Sequence, residues 1–326
     1  MTKFAIDKKR KKVGLALGGG TMRGMTHIGV LEVFEENKIP IDILVGCSSG
    51  AIVAAAYACG KMKEFKDIAL SMKNKKDRKR LLDFCLTGEG ILKGRKMESF
   101  FEYITGGKDF EDLKDIKLAF VATDVLTNEE IILNNGDIAK ALLMTTALPG
   151  LTPLRRYRGR LIMDGGVVSL VPADVAYKLG ADVVIGVDVS VNRNVITRTV
   201  GDVRKAMRNS RVGRMASPVF RMQEKIKNAD ERKFLGRAKK LMKKIKLLDD
   251  YENHRFNFLE MYLIGLRATS WDYKRGLFRD EDCDIAIRPD VMHVKRADVT
   301  KTAELIKEGR KAATRALPRI EVIVER

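Results

Sequence analysis

Apolar and polar positions set out a repeating plan in the first part of the chain. Val13–Leu17 (VGLAL) is an apolar run that ends in Gly18, Gly19 and Gly20. Beyond it Ile28, Leu31 and Phe34 recur at helical spacing, which predicts an amphipathic helix closing near Asn37, before Pro40. Ile43–Val45 is a second short apolar run leading into Gly46-Cys47-Ser48-Ser49-Gly50, and the alanine-rich stretch Ala51–Cys59 reads as a helix ended by Gly60. Strand, helix, strand, helix in that order predicts a parallel sheet wrapped by helices.

Residues 61–115 read as mainly helical and lysine-rich. Strands follow at Leu118–Thr123 and Glu130–Leu133, with a turn at Thr127-Asn128, and a helix spans Asp137–Thr146 behind an acidic cap. Pro149, Gly150 and Pro153 force an irregular loop. Tyr157-Arg158-Gly159-Arg160 reads as a hairpin turn delivering the strand Leu161–Met163, with Asp164-Gly165-Gly166 at its end. A helix at Asp174–Leu179 and a buried strand at Val183–Val189 continue the rhythm, which residues 193–255 break. Core character returns at Asp284, with a last helix at Thr302–Ala316 and a closing strand at Ile320–Val324. The expected fold class is α/β, a three-layer α/β/α sandwich with a mainly parallel central sheet. Its expected parts are a core at 1–192, a basic and mainly helical insertion at 193–255, and a C-terminal part at 256–326 completing the core.

Composition narrows the class without changing this plan. The chain has 326 residues, 45% of them hydrophobic and 32% charged, which describes a globular protein with a large core and excludes collagen-like or wholly disordered chains. No run of about 18 apolar residues predicts a transmembrane helix. The apolar run after the Lys8–Lys12 cluster is too short for a secretory signal. Cys47, Cys59, Cys85 and Cys283 show no C-x-x-C spacing and no clustering with His27, His254 and His293. Reduced cytoplasmic thiols are expected, and neither a metal nor a cofactor.

Charge does change the picture. The net charge is +19, and between Arg193 and Lys246 there are 18 Lys/Arg against 4 Asp/Glu, so most of the excess sits in one segment. Within it Phe234, Ala238, Leu241, Ile245 and Leu248 recur at helical spacing, with lysines on the opposite face. Such a helix either packs its stripe on the core or lies on an anionic bilayer, where each basic residue adds roughly 1 kcal/mol. Peripheral contact with the inner face of the membrane through 193–248 is therefore expected. No recognition module for nucleic acid is visible, so nucleic acid is not an expected partner.

Three stretches bear on chemistry. Gly46-x-Ser48-x-Gly50 lies between a strand and a helix, where a serine on a sharp turn needs glycine two residues before and after it to avoid collisions. Among Cys47, Ser48 and Ser49, only Ser48 has that spacing. Gly18-Gly19-Gly20 also lies between strand and helix, where backbone N–H groups can converge on an anion, with the Ser49 N–H as an extra donor. Arg23 beside Gly24 either holds that loop, meets a phosphate or forms a salt bridge at the helix start. The strict dinucleotide pattern G-x-G-x-x-G does not fit, because Gly24 comes one place late. Asp164, ending an apolar strand before Gly165 and Gly166, can accept a serine proton.

Taken in this order and spacing, the three stretches resemble those of patatin-like phospholipases. The likeness extends through Met25–Leu31 (MTHIGVL), Ala122-Thr123-Asp124, the Ala147–Pro153 loop and Val167–Ser190, covering about residues 12–190, and more loosely Arg288-Pro289-Asp290. The resemblance implies that Gly18, Gly19 and Gly20 form an oxyanion hole, that Ser48 is the nucleophile, and that Asp164 is its sole base. Thr21-Met22 departs from the smaller residues common at that place. The implied activity is phospholipase A or lysophospholipase-like ester hydrolysis of lipids. Acyl transfer by the same dyad, or lipid or nucleotide binding without turnover, are the alternatives. The order Ser48, Asp164, then His254 or His293 also suits a histidine triad formally, but His254 lies in the charged insertion and His27 suits packing or loop support.

Overall fold

The computed structural model describes residues 10–72, 94–148, 152–190, 278–295 and 298–325, together with Asp77. All of them belong to one unit, made of 1–190 with 257–326. The basic segment 193–255, with its expected helix and bilayer contact, lies outside the described residues, as do His254 and the tip of the loop at 149–151.

Eight strands form one mixed sheet. They are β1 (Val13–Leu17), β2 (Ile43–Cys47), β3 (Lys117–Asp124), β4 (Glu130–Leu133), β5 (Arg155–Tyr157), β6 (Arg160–Asp164), β7 (Val183–Val187) and β8 (Ile285–Ile287). The order is β5-β6-β3-β2-β1-β7-β8, with β4 also on β3. Strands β3, β2, β1, β7 and β8 run parallel, whereas β4, β5 and β6 join by antiparallel pairing. The described helices are α1 (Thr26–Glu36), α2 (Ser49–Ala58), α3 (Met62–Ser71), α4 (Arg95–Thr105), α5 (Ile138–Thr145), α6 (Ala173–Lys178) and α7 (Thr302–Glu325).

Alternation along the strands feeds two cores. Val13, Leu15 and Leu17 enter the larger one with Ile28, Leu31 and Phe34 of α1, while Ala16 joins Val175 and Ala176 of α6 in the smaller one. Phe120 and Leu44 face the first core; Ala119, Val121, Ile43 and Val45 face the second. Because both faces are covered, these strands read as continuous apolar runs. This is the three-layer α/β/α arrangement expected from the sequence.

Two local predictions have clear physical bases in the structure. Arg158 and Gly159 both adopt positive φ (50° and 74°), the pair of left-handed residues a tight hairpin turn requires. The Asp137 side chain accepts the Lys140 N–H at 2.9 Å and opens α5. The predicted closing strand Ile320–Val324 is overturned, since α7 runs unbroken through Pro318 to Glu325. Its β-branched residues suggested a strand, but Ile320, Ile323 and Val324 are also spaced to share one helical face. That face packs on the larger core, and burial outweighs local propensity.

Register on β3 positions the ends of β2 and β6. Val121 pairs with Cys47 of β2 and Ile132 of β4, and the next residue, Ala122, pairs with Asp164 of β6 and Ile131 of β4. A strand has only two edges, and β4 occupies one of them across this region. Strands β2 and β6 therefore share the other edge, approach from opposite directions, and end beside each other.

Candidate active site

Ser48 sits where β2 turns sharply into α2, with φ 51° and ψ −118°. A non-glycine residue in this region is strained by roughly 1–3 kcal/mol, so the surroundings must hold it there. They do so sterically. A Cβ on Gly46 would strike the backbone of Ala51, and one on Gly50 would strike the carbonyl of Leu17. Thr145, at the end of α5, adds a polar clamp: its Oγ1 accepts the Ser48 N–H at 3.1 Å and donates to the Val121 carbonyl at 2.5 Å. Sequence reading missed Thr145, and its only signal was a hydroxyl at the end of the otherwise apolar run Ala141–Met144.

The three adjacent candidates now separate. Cys47 is fully buried, and burial together with the charges of Asp164 and Glu130 pushes its thiol pKa well up, so it holds its proton. The Ser49 hydroxyl accepts the Gly20 N–H at 2.9 Å. Ser48 is half-buried, and its hydroxyl side chain acts to lower the pKa of the Asp164 carboxyl.

Asp164 is fastened by its backbone and burdened by its environment. Its N–H donates to the Ala147 carbonyl at 2.8 Å, and its own carbonyl accepts from Thr123 Oγ1 at 2.9 Å. Gly165 lies so close to β3 that a Cβ there would strike the Val121 carbonyl. The carboxylate accepts the Gly166 N–H at 2.8 Å. Asp164 is only 5% exposed, and desolvation raises its pKa to about 6 against the opposing pull of the Ser48 side chain and the Gly166 N–H. A carboxylate with that value is a far better proton acceptor near neutrality than an ordinary aspartate.

The glycine loop lies beside the serine, with a Cβ on Gly19 falling 3.4 Å from Ser48 Cβ. Its amides, however, are not free as the sequence suggested. Gly18 N–H donates to the Val187 carbonyl (3.0 Å) and so extends the β1–β7 ladder, Gly19 N–H donates to the Leu170 carbonyl (2.9 Å), and Gly20 N–H donates to Ser49. The Ser49 N–H opens α2, and a helix offers its first amides no carbonyl of its own. Gly24 packs directly on the Ser49 side chain, where a Cβ would collide.

Arg23 ties the loop to the chain at 292–294. It is 3% exposed, and its guanidinium donates to the carbonyls of Val294 (2.6 and 2.9 Å) and Met292 (3.1 Å). Of the histidines, His293 pairs with Glu304 at 2.6 Å, and His27 lies against the Gly18 carbonyl at 2.8 Å. Among the described residues no group of three His, Cys, Asp or Glu side chains is placed to hold a metal, and no helix is long and apolar enough to cross a membrane.

Comparison with known proteins finds a matching family model and several relatives of this chain. The family model described as "Patatin-like phospholipase" matches residues 15–177, the stretch that contains Gly18–Gly20, Ser48 and Asp164. An NTE family protein of Mycobacterium tuberculosis is 33% identical over 179 residues, which is 55% of this chain and 49% of that protein. Human patatin-like phospholipase domain-containing protein 6 is 31% identical over 197 residues, 58% of this chain and 14% of its own length. Neuropathy target esterase of Drosophila melanogaster is 32% identical over 196 residues, again 58% of this chain and 14% of the fly protein. The chain thus spans half or less of each of these relatives.

Proposed function

Since this chain belongs to the patatin-like phospholipase family, we propose that it is a serine acyl hydrolase cleaving carboxylic ester bonds of phospholipids or lysophospholipids. The observation that supports this reading most directly is the placement, beside the strained turn at Ser48, of a buried carboxylate whose pKa is raised to about 6.

The reaction runs in two halves. Ser48 Oγ attacks the ester carbonyl carbon as its proton passes to Asp164. The tetrahedral intermediate collapses, the bond to the leaving alcohol breaks, and the alcohol takes the proton from Asp164. Water then attacks the acyl-enzyme, Asp164 receives its proton, and the fatty acid leaves as Ser48 recovers its hydrogen.

The developing oxyanion needs donors, and the Gly19 and Ser49 amides flank Ser48 most closely. For Gly19 the substrate oxygen replaces the Leu170 carbonyl as acceptor. Giving up a neutral hydrogen bond costs about 1 kcal/mol net, whereas a bond to an oxyanion is roughly twice as strong, so the exchange favours the intermediate. Gly18 and Gly20 keep their protein acceptors and shape the loop.

Labelling with a fluorophosphonate and hydrolysis of a lysophospholipid panel test this. Ser48 should be the labelled residue, and Ser48→Ala and Asp164→Asn should each lower kcat by about a thousandfold or more with folding intact. Full turnover by either variant would remove the dyad. An unlabelled and inactive wild type would instead mark a protein that binds lipid without turnover.

A further inference from the structure

We propose that His27 is a positioning residue of the oxyanion site, holding the Gly18–Gly19 peptide so that its N–H faces the carbonyl bound at Ser48. This inference rests on the dyad reading and extends it to a residue that touches neither substrate nor nucleophile.

The geometry is a single peptide gripped at both ends. His27 lies in the first turn of α1, fully buried, with Nε2 2.8 Å from the Gly18 carbonyl oxygen. A carbonyl only accepts, so Nε2 carries the proton and donates it. Burial lowers the imidazole pKa to about 4, which keeps the ring neutral. The Gly18 carbonyl and the Gly19 N–H belong to the same planar trans peptide, so a constraint on the oxygen fixes the direction of the hydrogen. That hydrogen meets Leu170 in the resting protein, beside Ser48. Donation to the carbonyl also polarises the peptide and strengthens its N–H as a donor.

The ring's other nitrogen argues against a mainly structural role. Nδ1 is buried without a hydrogen-bond partner. An apolar side chain of similar volume would avoid that penalty, so the imidazole is explained by what Nε2 holds. The Gly18 and Gly19 N–H groups are held by Val187 and Leu170, and the imidazole adds the restraint on the Gly18 carbonyl.

The test uses the full chain with Gln, Asn and Leu at position 27. A glutamine amide reaches as far as Nε2 and keeps the donor; asparagine falls short of Gly18, and leucine removes the donor. Kinetics on a p-nitrophenyl ester and the rate of fluorophosphonate attack at Ser48 are read beside a thermal melt. His27→Leu and His27→Asn should lower kcat about 30-fold with KM within about twofold, the scale of a misplaced donor, and slow phosphonylation in parallel. His27→Gln should recover most of both. If His27→Leu fails to fold, the Asn and Gln pair decides the matter. Wild-type kcat and phosphonylation in His27→Asn, or equal losses in Asn and Gln, would overturn the role of His27 while Ser48 still labels. Loss of Ser48 labelling in the wild type, with activity surviving Ser48→Ala, would instead remove the dyad beneath it.

Discussion

Ser48 and Asp164, the two ends of the proposed dyad, are held by different means. At Ser48 the unfavourable quantity is conformational: φ is 51°, and close contacts at Gly46 and Gly50 impose it. At Asp164 the φ and ψ of −47° and 135° are unstrained, and the unfavourable quantity is electrostatic, a carboxylate pushed by burial to a pKa of about 6. Steric enforcement tolerates almost no substitution but is indifferent to pH. Electrostatic strain accepts an isosteric replacement readily and follows pH closely. The difference teaches that the same site should respond to mutation and to titration at different places.

The largest expected effect falls on the steric side. Gly50→Ala sets a methyl group against the Leu17 carbonyl, and backbone cannot step aside as a flexible side chain would. Chemical denaturation should show a loss of about 3 kcal/mol or more, equal at pH 5 and pH 8. A loss confined to one pH would break the contrast drawn above.

The next effect falls on the electrostatic side and has a definite sign. The folded pKa of Asp164, about 6, stands above the ordinary 3.8, so the folded state favours the protonated form. Below pH ~4 both folded and unfolded chains carry the proton and no penalty arises. As pH rises through about 6 the buried charge destabilises the fold, by on the order of 3 kcal/mol at most. Asp164→Asn should therefore match wild type near pH 4 and exceed it in stability at pH 8. An advantage that grew toward acid would reverse the assignment.

The smallest effect sharpens the first. Ser48→Gly should raise stability by about 1 kcal/mol over Ser48→Ala, since glycine accepts positive φ without strain and alanine does not. Equal melting points for the two variants would show that the elbow is less strained than its angles imply.

How far the sequence foretold this site depends on the kind of force involved. The elbow was legible because Gly46 and Gly50 are steric necessities, and necessities of that sort leave glycines at fixed spacing. The sheet was legible because Val13–Leu17 and Val183–Val187 are buried on both faces. The roles of Thr145, Thr123 and Leu170 were not legible, because each acts through one or two hydrogen bonds across a long sequence separation, and a lone threonine or leucine carbonyl leaves no pattern. The amides of Gly18–Gly20 were visible as glycines, but their acceptors were not. The strand expected at Ile320–Val324 failed for a related reason: its spacing suits two periodicities, and only the neighbouring core chooses between them.

The head-to-head arrival of β2 and β6 on β3 makes that strand a ruler for the chemistry. Cys47, the residue before Ser48, stands opposite Val121 and Asp164 opposite Ala122, so the gap between the ends of β2 and β6 is measured in one residue of a third chain segment. Lengthening the connections that lead to either strand leaves the measurement unchanged. Slipping β6 by a single place would turn Asp164 to the opposite face of the sheet. Change in the connecting loops is thus free to alter what surrounds Ser48 and Asp164, while the interval between them is written in the pairing of β3.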